Sequence, residues 1–197
     1  EGVTGSRIAT FWVRVPQIPK AGVTFYVYYG NDAAVDLSNP NTTFDFYEDF
    51  KASSLDKNKW VLHTEQKGSA LLNNGTIKLD AAEIITKDFQ FKEGIIEYSC
   101  LVESGFESSL NIRNKNEESY DSSIWLAYSS IYKGAEHCIA VDGIVKANDA
   151  LAKLTIAGEN YNYRISLDNG QLTFERFGIA AEKTVAVPIF PIFASTA

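Results

Sequence analysis

The chain has 197 residues, 45% of them hydrophobic and 22% charged, with a formal net charge of −7 and a pI near 4.9. That apolar content speaks against disorder. The acidic balance speaks against a general nucleic-acid binder, which needs a basic face for phosphate, and against attachment to anionic lipid. The longest apolar stretch, Val185–Ala194, is too short for a bilayer and is broken by Pro188 and Pro191, so no membrane span is expected in this chain.

Aromatic residues make up 13% of the chain and favour strands. Thr10–Val15 alternates Phe11, Val13 and Val15 against Trp12 and Arg14 and reads as a strand that Pro16 and Pro19 stop. Val23–Tyr29 reads as a second strand, apolar on both sides and so expected to be covered on both. The turn Gly30-Asn31-Asp32 and a polar linker through Asn41 follow. Phe44–Trp60 then combines clustered aromatics with the polar turn Lys51–Lys59 and reads as a hinge between an N-terminal β segment, residues 1–43, and a larger β domain, residues 44–197.

Beyond the hinge, strands are expected at Trp60–His63, Ser69–Leu72, Thr76–Leu79, Ile84–Phe91, Ile95–Val102, Ser108–Arg113 and Ser123–Tyr128. Others are expected at Cys138–Val141, Leu151–Ile156, Tyr161–Leu167, Leu172–Phe177 and Thr184–Ile192. Asn73-Asn74-Gly75 and Asp168-Asn169-Gly170 are hairpin turns, because Asn and Gly tolerate positive φ. Ala147–Lys153 is the best short helical candidate. This pattern predicts an all-β antiparallel sandwich, jelly roll or barrel. With Glu1 first and no Met, the chain reads as a processed product or a piece of a longer protein.

Trp12–Pro19 (WVRVPQIP), followed by Tyr28-Tyr29-Gly30-Asn31, resembles the closing signature of family 2341 of the domains of unknown function. Phe44–Phe50 with Ser53–Trp60 resembles the start of a concanavalin A-like (laminin-G-like) module, as do FKEGIIEYSCLV at Phe91–Val102 and the hairpin at Tyr161–Phe174. The resemblance implies an antiparallel β-sandwich of the concanavalin A-like jelly-roll type with a short N-terminal β segment. It also implies a place in a large archaeal or bacterial surface or secreted protein. The family's early strands are missing here, which implies either an incomplete sheet of residues 1–43 packed on the sandwich, or missing strands supplied by residues outside this sequence or by a neighbouring copy through strand exchange.

Candidate chemistry is sparse. Relatives of the concanavalin A-like fold include glucanases, which need paired carboxylates. Glu93 with Glu97 and Glu103 with Glu107 are the nearest pairs, and both lack a central Asp. His63 and His137 sit in no ligand pattern, so no enzyme is expected and no catalytic residue is assigned. Calcium is considered at Asp45, Glu48 and Asp49 and at Glu117, Glu118 and Asp121, neither a complete loop motif. No cofactor is otherwise expected.

Candidate glycan contacts are Trp125, Tyr128 and Tyr120, although Trp125 and Tyr128 fall on opposite faces of a regular strand. Candidate N-glycosylation sites are Asn41 and Asn74. Cys100 and Cys138 fit either one disulfide or two separate buried thiols. The expected function is a non-enzymatic structural or adhesive module of a cell-surface protein or filament. Its expected partners are copies of itself or other surface proteins. Carbohydrate binding is the alternative, and glycoside hydrolysis is a distant third.

Overall fold

The computed structural model describes residues 11–101, 107–113, 123–130, 138–141, 144–148, 160–177 and 185–188. Within them the chain is all-β, with antiparallel sheets and one single-turn helix. No helix among these residues is long and apolar enough to cross a membrane. The chain divides into two compact units, Glu1–Phe89 and Gln90–Ala197, and the expected segment boundary at 43/44 lies inside the first.

In the first unit, helix α1 (Pro40–Thr43) opens with proline, whose fixed φ suits a first helical turn. The hydroxyls of Thr42 and Thr43 donate to the Asn39 carbonyl at 3.0 and 2.9 Å. The helix ends where Phe44 turns extended (φ −103°, ψ 153°). Strands β1 (Trp60–Asn73) and β2 (Thr76–Thr86) form a hairpin across Asn74-Gly75, both at positive φ, as the sequence predicts.

Two separate strands were expected at Trp60–His63 and Ser69–Leu72, but β1 runs through both. The interruption is a bulge and not a turn: Thr64 faces Ala82 and Ser69 faces Asp80, leaving residues 65–68 opposite Ala81 alone. Ala81 sits at φ 44°, and a Cβ on Gly68 would overlap the Ala81 carbonyl, so the close approach requires glycine. The strand expected over Ile84–Phe91 is the end of β2 and stops at Thr86, where Lys87 N–H donates to the Lys59 carbonyl at 2.8 Å.

The two strands expected before the hinge are not formed. Residues 11–29 carry no strand, and Val23–Tyr29, expected to be covered on both sides, lies open, with Tyr28 90% and Tyr29 94% exposed. Alternation makes a segment fit for a sheet, but a ladder also needs a neighbour. No described strand pairs with this one.

The second unit holds two four-stranded sheets. Its strands are β3 (Gly94–Leu101), β4 (Glu107–Arg113), β5 (Ser123–Ser130), β6 (Cys138–Val141), β7 (Ile144–Asn148), β8 (Asn160–Asp168), β9 (Gln171–Phe177) and β10 (Val185–Pro188). The first sheet has the order β10-β9-β8-β3 and the second β4-β5-β6-β7. Strand β7 takes Ala147 and Asn148 out of the short helix expected at Ala147–Lys153, because Ile144–Asn148 pairs with β6. The expected strand at Leu151–Ile156 lies outside the described residues.

The core sits on the β10-β9-β8-β3 sheet. Strand β8 alternates strictly, burying Tyr161, Tyr163, Ile165 and Leu167, and Leu172 and Phe174 of β9 complete the buried set among the described residues. Tyr163 stacks on Tyr98 at 5.4 Å and on Phe174 at 5.7 Å between centroids. Ile96, Tyr98 and Cys100 of β3 pack against this cluster, as do Leu110 and Ile112 of β4 from the other sheet. Each such side chain contributes about 1.5–3 kcal/mol when fully buried. The β8–β9 turn, Asn169-Gly170, has both residues at positive φ and holds the register that keeps these rows together.

Candidate functional site

The hinge Phe44–Trp60 is organised by Glu48. Its Oε1 accepts the backbone N–H groups of Asp49 and Phe50 at 3.1 and 3.0 Å, and its Oε2 accepts the Trp60 indole N–H at 3.0 Å. Lys59 Nζ approaches the same Oε2 at 3.8 Å and donates to the Tyr47 carbonyl at 2.9 Å. Around the indole, Phe46 makes an edge contact at 5.3 Å and Phe50 a tilted one at 6.0 Å. Glu48 also braces Phe50, which stands at φ 50° where a non-glycine backbone is strained.

The expected solvated turn is built from Asp side chains that cap backbone amides, Asp49 for Lys51 and Asp56 for Asn58. The Lys51 N–H holds the Asp49 carboxyl below its usual range, and the Ser38 hydroxyl and N–H do the same for Asp36. Each acid considered for calcium has a different partner. Asp45 pairs with Arg14 at 2.9 Å, Glu48 serves the hinge, and Asp49 pairs with Lys51 at 3.3 Å. Among the described residues no three His, Cys, Asp or Glu side chains gather as a metal set. Glu117, Glu118 and Asp121 lie outside the described residues.

The carboxylate pairs also separate. Glu93 falls in the loop before β3, while Glu97 is on β3, where its Oε1 accepts Arg164 Nε at 2.7 Å and Arg164 Nη2 at 2.6 Å. Arg164 Nη1 lies 3.8 Å from Glu175 Oε2. The Glu97 carboxylate is thus engaged by the Arg164 guanidinium and, among the described residues, has no second carboxylate beside it of the kind a retaining glycosidase needs. Glu107 opens β4, and Glu103 and His137 lie outside the described residues. His63 faces Glu83 across the β1–β2 ladder at 3.5 Å.

Of the glycan candidates, Trp125 sits opposite Asn111 of β4 and Ala140 of β6 in register. Tyr128 is the residue that the β4–β5 ladder skips, since Ser129 pairs with Ser108 and Ala127 with Ser109. Tyr120 lies outside the described residues.

Asn41 is exposed within α1, and Asn74 is exposed at the β1–β2 turn, where Thr76 Oγ1 donates to the Asn73 carbonyl at 2.7 Å. Cys100 is half-buried against the core opposite Tyr161, and Cys138 opens β6 opposite Ala127 and Asn148.

Two features of the first unit were missed by sequence reasoning. One is the exposed strip of residues 11–29, where Phe11, Trp12, Phe25 and Tyr26 are open along with Tyr28 and Tyr29. Its near end is tethered: Trp12 packs edge-on against Phe44 at 5.6 Å, and Phe44 stacks on Tyr47. The other is an open groove of about 650 Å³ beside β1, lined by Leu55, Trp60, Val61, Leu62 and Leu71, with Ser53, Ser54 and Lys57 at its polar margin. The doubly apolar run at 23–29 carried a signal for the strip. The groove carried none, because it lies between residues 53–57 and β1, a placement that no local sequence pattern specifies.

Residues 3–63 match the domain of unknown function DUF2341, in agreement with the resemblance at Trp12–Asn31. The match covers about a third of the chain, and no family match extends over the following β domain. No curated protein and no solved structure matches the chain.

Proposed function

We propose that the chain is a non-enzymatic extracellular module, a structural or adhesive subunit of a cell-surface protein or assembly. In this reading the second unit is a concanavalin A-like jelly-roll sandwich that serves as a stable body, and the first unit is the contacting part. The observation that carries it is the apolar surface of residues 11–29, too extensive for an isolated soluble domain to leave without use. The expected sheet-to-sheet packing is supported by Leu110 and Ile112 of β4, which meet the core of the other sheet. The commitment of Glu97 to Arg164 supports leaving hydrolysis aside.

Light scattering after size exclusion, with electron microscopy of the concentrated 197-residue chain, tests this reading. Concentration-dependent oligomers or filaments are expected, and a monodisperse monomer at every concentration contradicts it. The lectin-like alternative is favoured instead by the groove, whose indole and serine hydroxyls suit a sugar. Binding on a glycan array that Trp60→Ala or Trp125→Ala abolishes would support that alternative.

A further inference from the structure

We infer that Val23–Tyr29 of one copy adds as a strand along β1 of a second copy, and that the exchange is reciprocal. This deepens the proposed assembly function and rests on it. Among its described residues the first unit contains a strand-competent segment without a ladder and a two-stranded sheet without a third strand, each of which is marginal alone. Val23, Phe25, Val27 and Tyr29 would form one face of the added strand, and all four are exposed.

The acceptor is the β1 side of the hairpin. Val61, Leu62 and Leu71 are the exposed apolar residues there, and the groove of about 650 Å³ lies beside them. The opposite strand, β2, exposes only Leu79 among its large apolar side chains. Incoming main-chain groups would take the ladder bonds, and the alternate side chains would enter the groove.

Exposed area favours a second copy as the occupant. The exposed aromatics of the strip, Phe11, Trp12, Phe25, Tyr26, Tyr28 and Tyr29, are 55–94% open. At roughly 150–250 Å² for each large aromatic, the four rings within Val23–Tyr29 present on the order of 600 Å², to which each copy adds its acceptor edge in a reciprocal exchange. A standard interface takes about 800 Å² from each partner. An apolar strip fits an apolar edge, and this chain supplies both.

The test is sedimentation of the 197-residue chain over a wide concentration range, for the wild type, Phe25→Lys/Val27→Lys and Leu71→Lys. These side chains are exposed in the single chain, so their replacement leaves folding intact. Each variant is expected to weaken self-association by roughly 100-fold, because lysine would be buried at an apolar contact. Mixing the two variants is expected to restore association in part, since one donor and one acceptor remain intact.

Wild-type association that both variants leave unchanged overturns the strand exchange while sparing the assembly function. A wild-type monomer at all concentrations overturns both. A monomer in which residues 23–29 are protected from hydrogen exchange shows the strip folded onto its own hairpin, and it overturns the exchange as well.

Discussion

Strand β8 and the segment Val23–Tyr29 carry the same sequence signal and meet opposite fates. NYNYRISLD alternates polar and apolar residues, and every second side chain disappears into the core. VTFYVYY is more apolar still, yet its side chains stand open. The difference lies in the neighbours. Strand β8 is central in its sheet, flanked by β3 and β9 in continuous register, with Leu110 and Ile112 packed over its buried row. The N-terminal segment has no ladder on either side among the described residues. A strand's stability comes from cross-strand pairs and from the layer it covers, and neither is written in the strand itself.

The sharpest way to probe this contrast is to remove one ring from each region. Phe174→Ala is expected to cost about 3–5 kcal/mol, because a fully buried ring leaves a cavity that the stacked Tyr163 cannot fill. Phe25→Ala should change the stability of the dilute chain by less than about 0.5 kcal/mol. Chemical denaturation of both variants measures the difference. Equal losses would mean that the strip is buried after all.

A smaller effect is expected at the hinge. Glu48→Ala removes the acceptor of the Trp60 indole and of two backbone amides, and should cost about 2 kcal/mol. In a Trp125→Phe background, which leaves Trp12 and Trp60 of the first unit, tryptophan fluorescence should follow the loosening of that unit while the Tyr163 cluster keeps its thermal transition. A single shared transition shifted as a whole would show that the two units unfold together.

The smallest effect is acid-dependent. The Asp49 pKa is lowered in the folded chain from an ordinary value of 3.8, chiefly by the Lys51 N–H. The stabilisation is therefore complete above 3.8 and is lost as pH falls through 3.8 toward the lowered folded value. Asp49→Asn should flatten a slight fall in stability below that pH, and an unchanged acid limb would remove Asp49 from the account.

Local turn chemistry made the hairpins legible: Asn74-Gly75 and Asn169-Gly170 specify positive φ and thereby register. Strict alternation made β8 legible down to its buried row. The strip was misread as a covered strand because apolar content reports what a segment would gain from cover, not whether cover exists. The long β1 was split in two because a bulge and a loop share the same polar signature over Thr64–Gly68. For the hinge, the aromatic cluster was plain in the sequence. The role of Glu48 was not, since an acid among acids suggests a cation until the indole N–H is seen bonded to it.

Hydrogen exchange at two protein concentrations tests the central claim most directly, because it reads both regions in one sample. Amides of residues 161–167 should be protected throughout. Those of residues 23–29 should exchange freely in dilute solution and become protected as concentration rises. Fast exchange of residues 23–29 at every concentration, in a sample that has associated, would contradict the assignment of this segment as the strand that joins two copies.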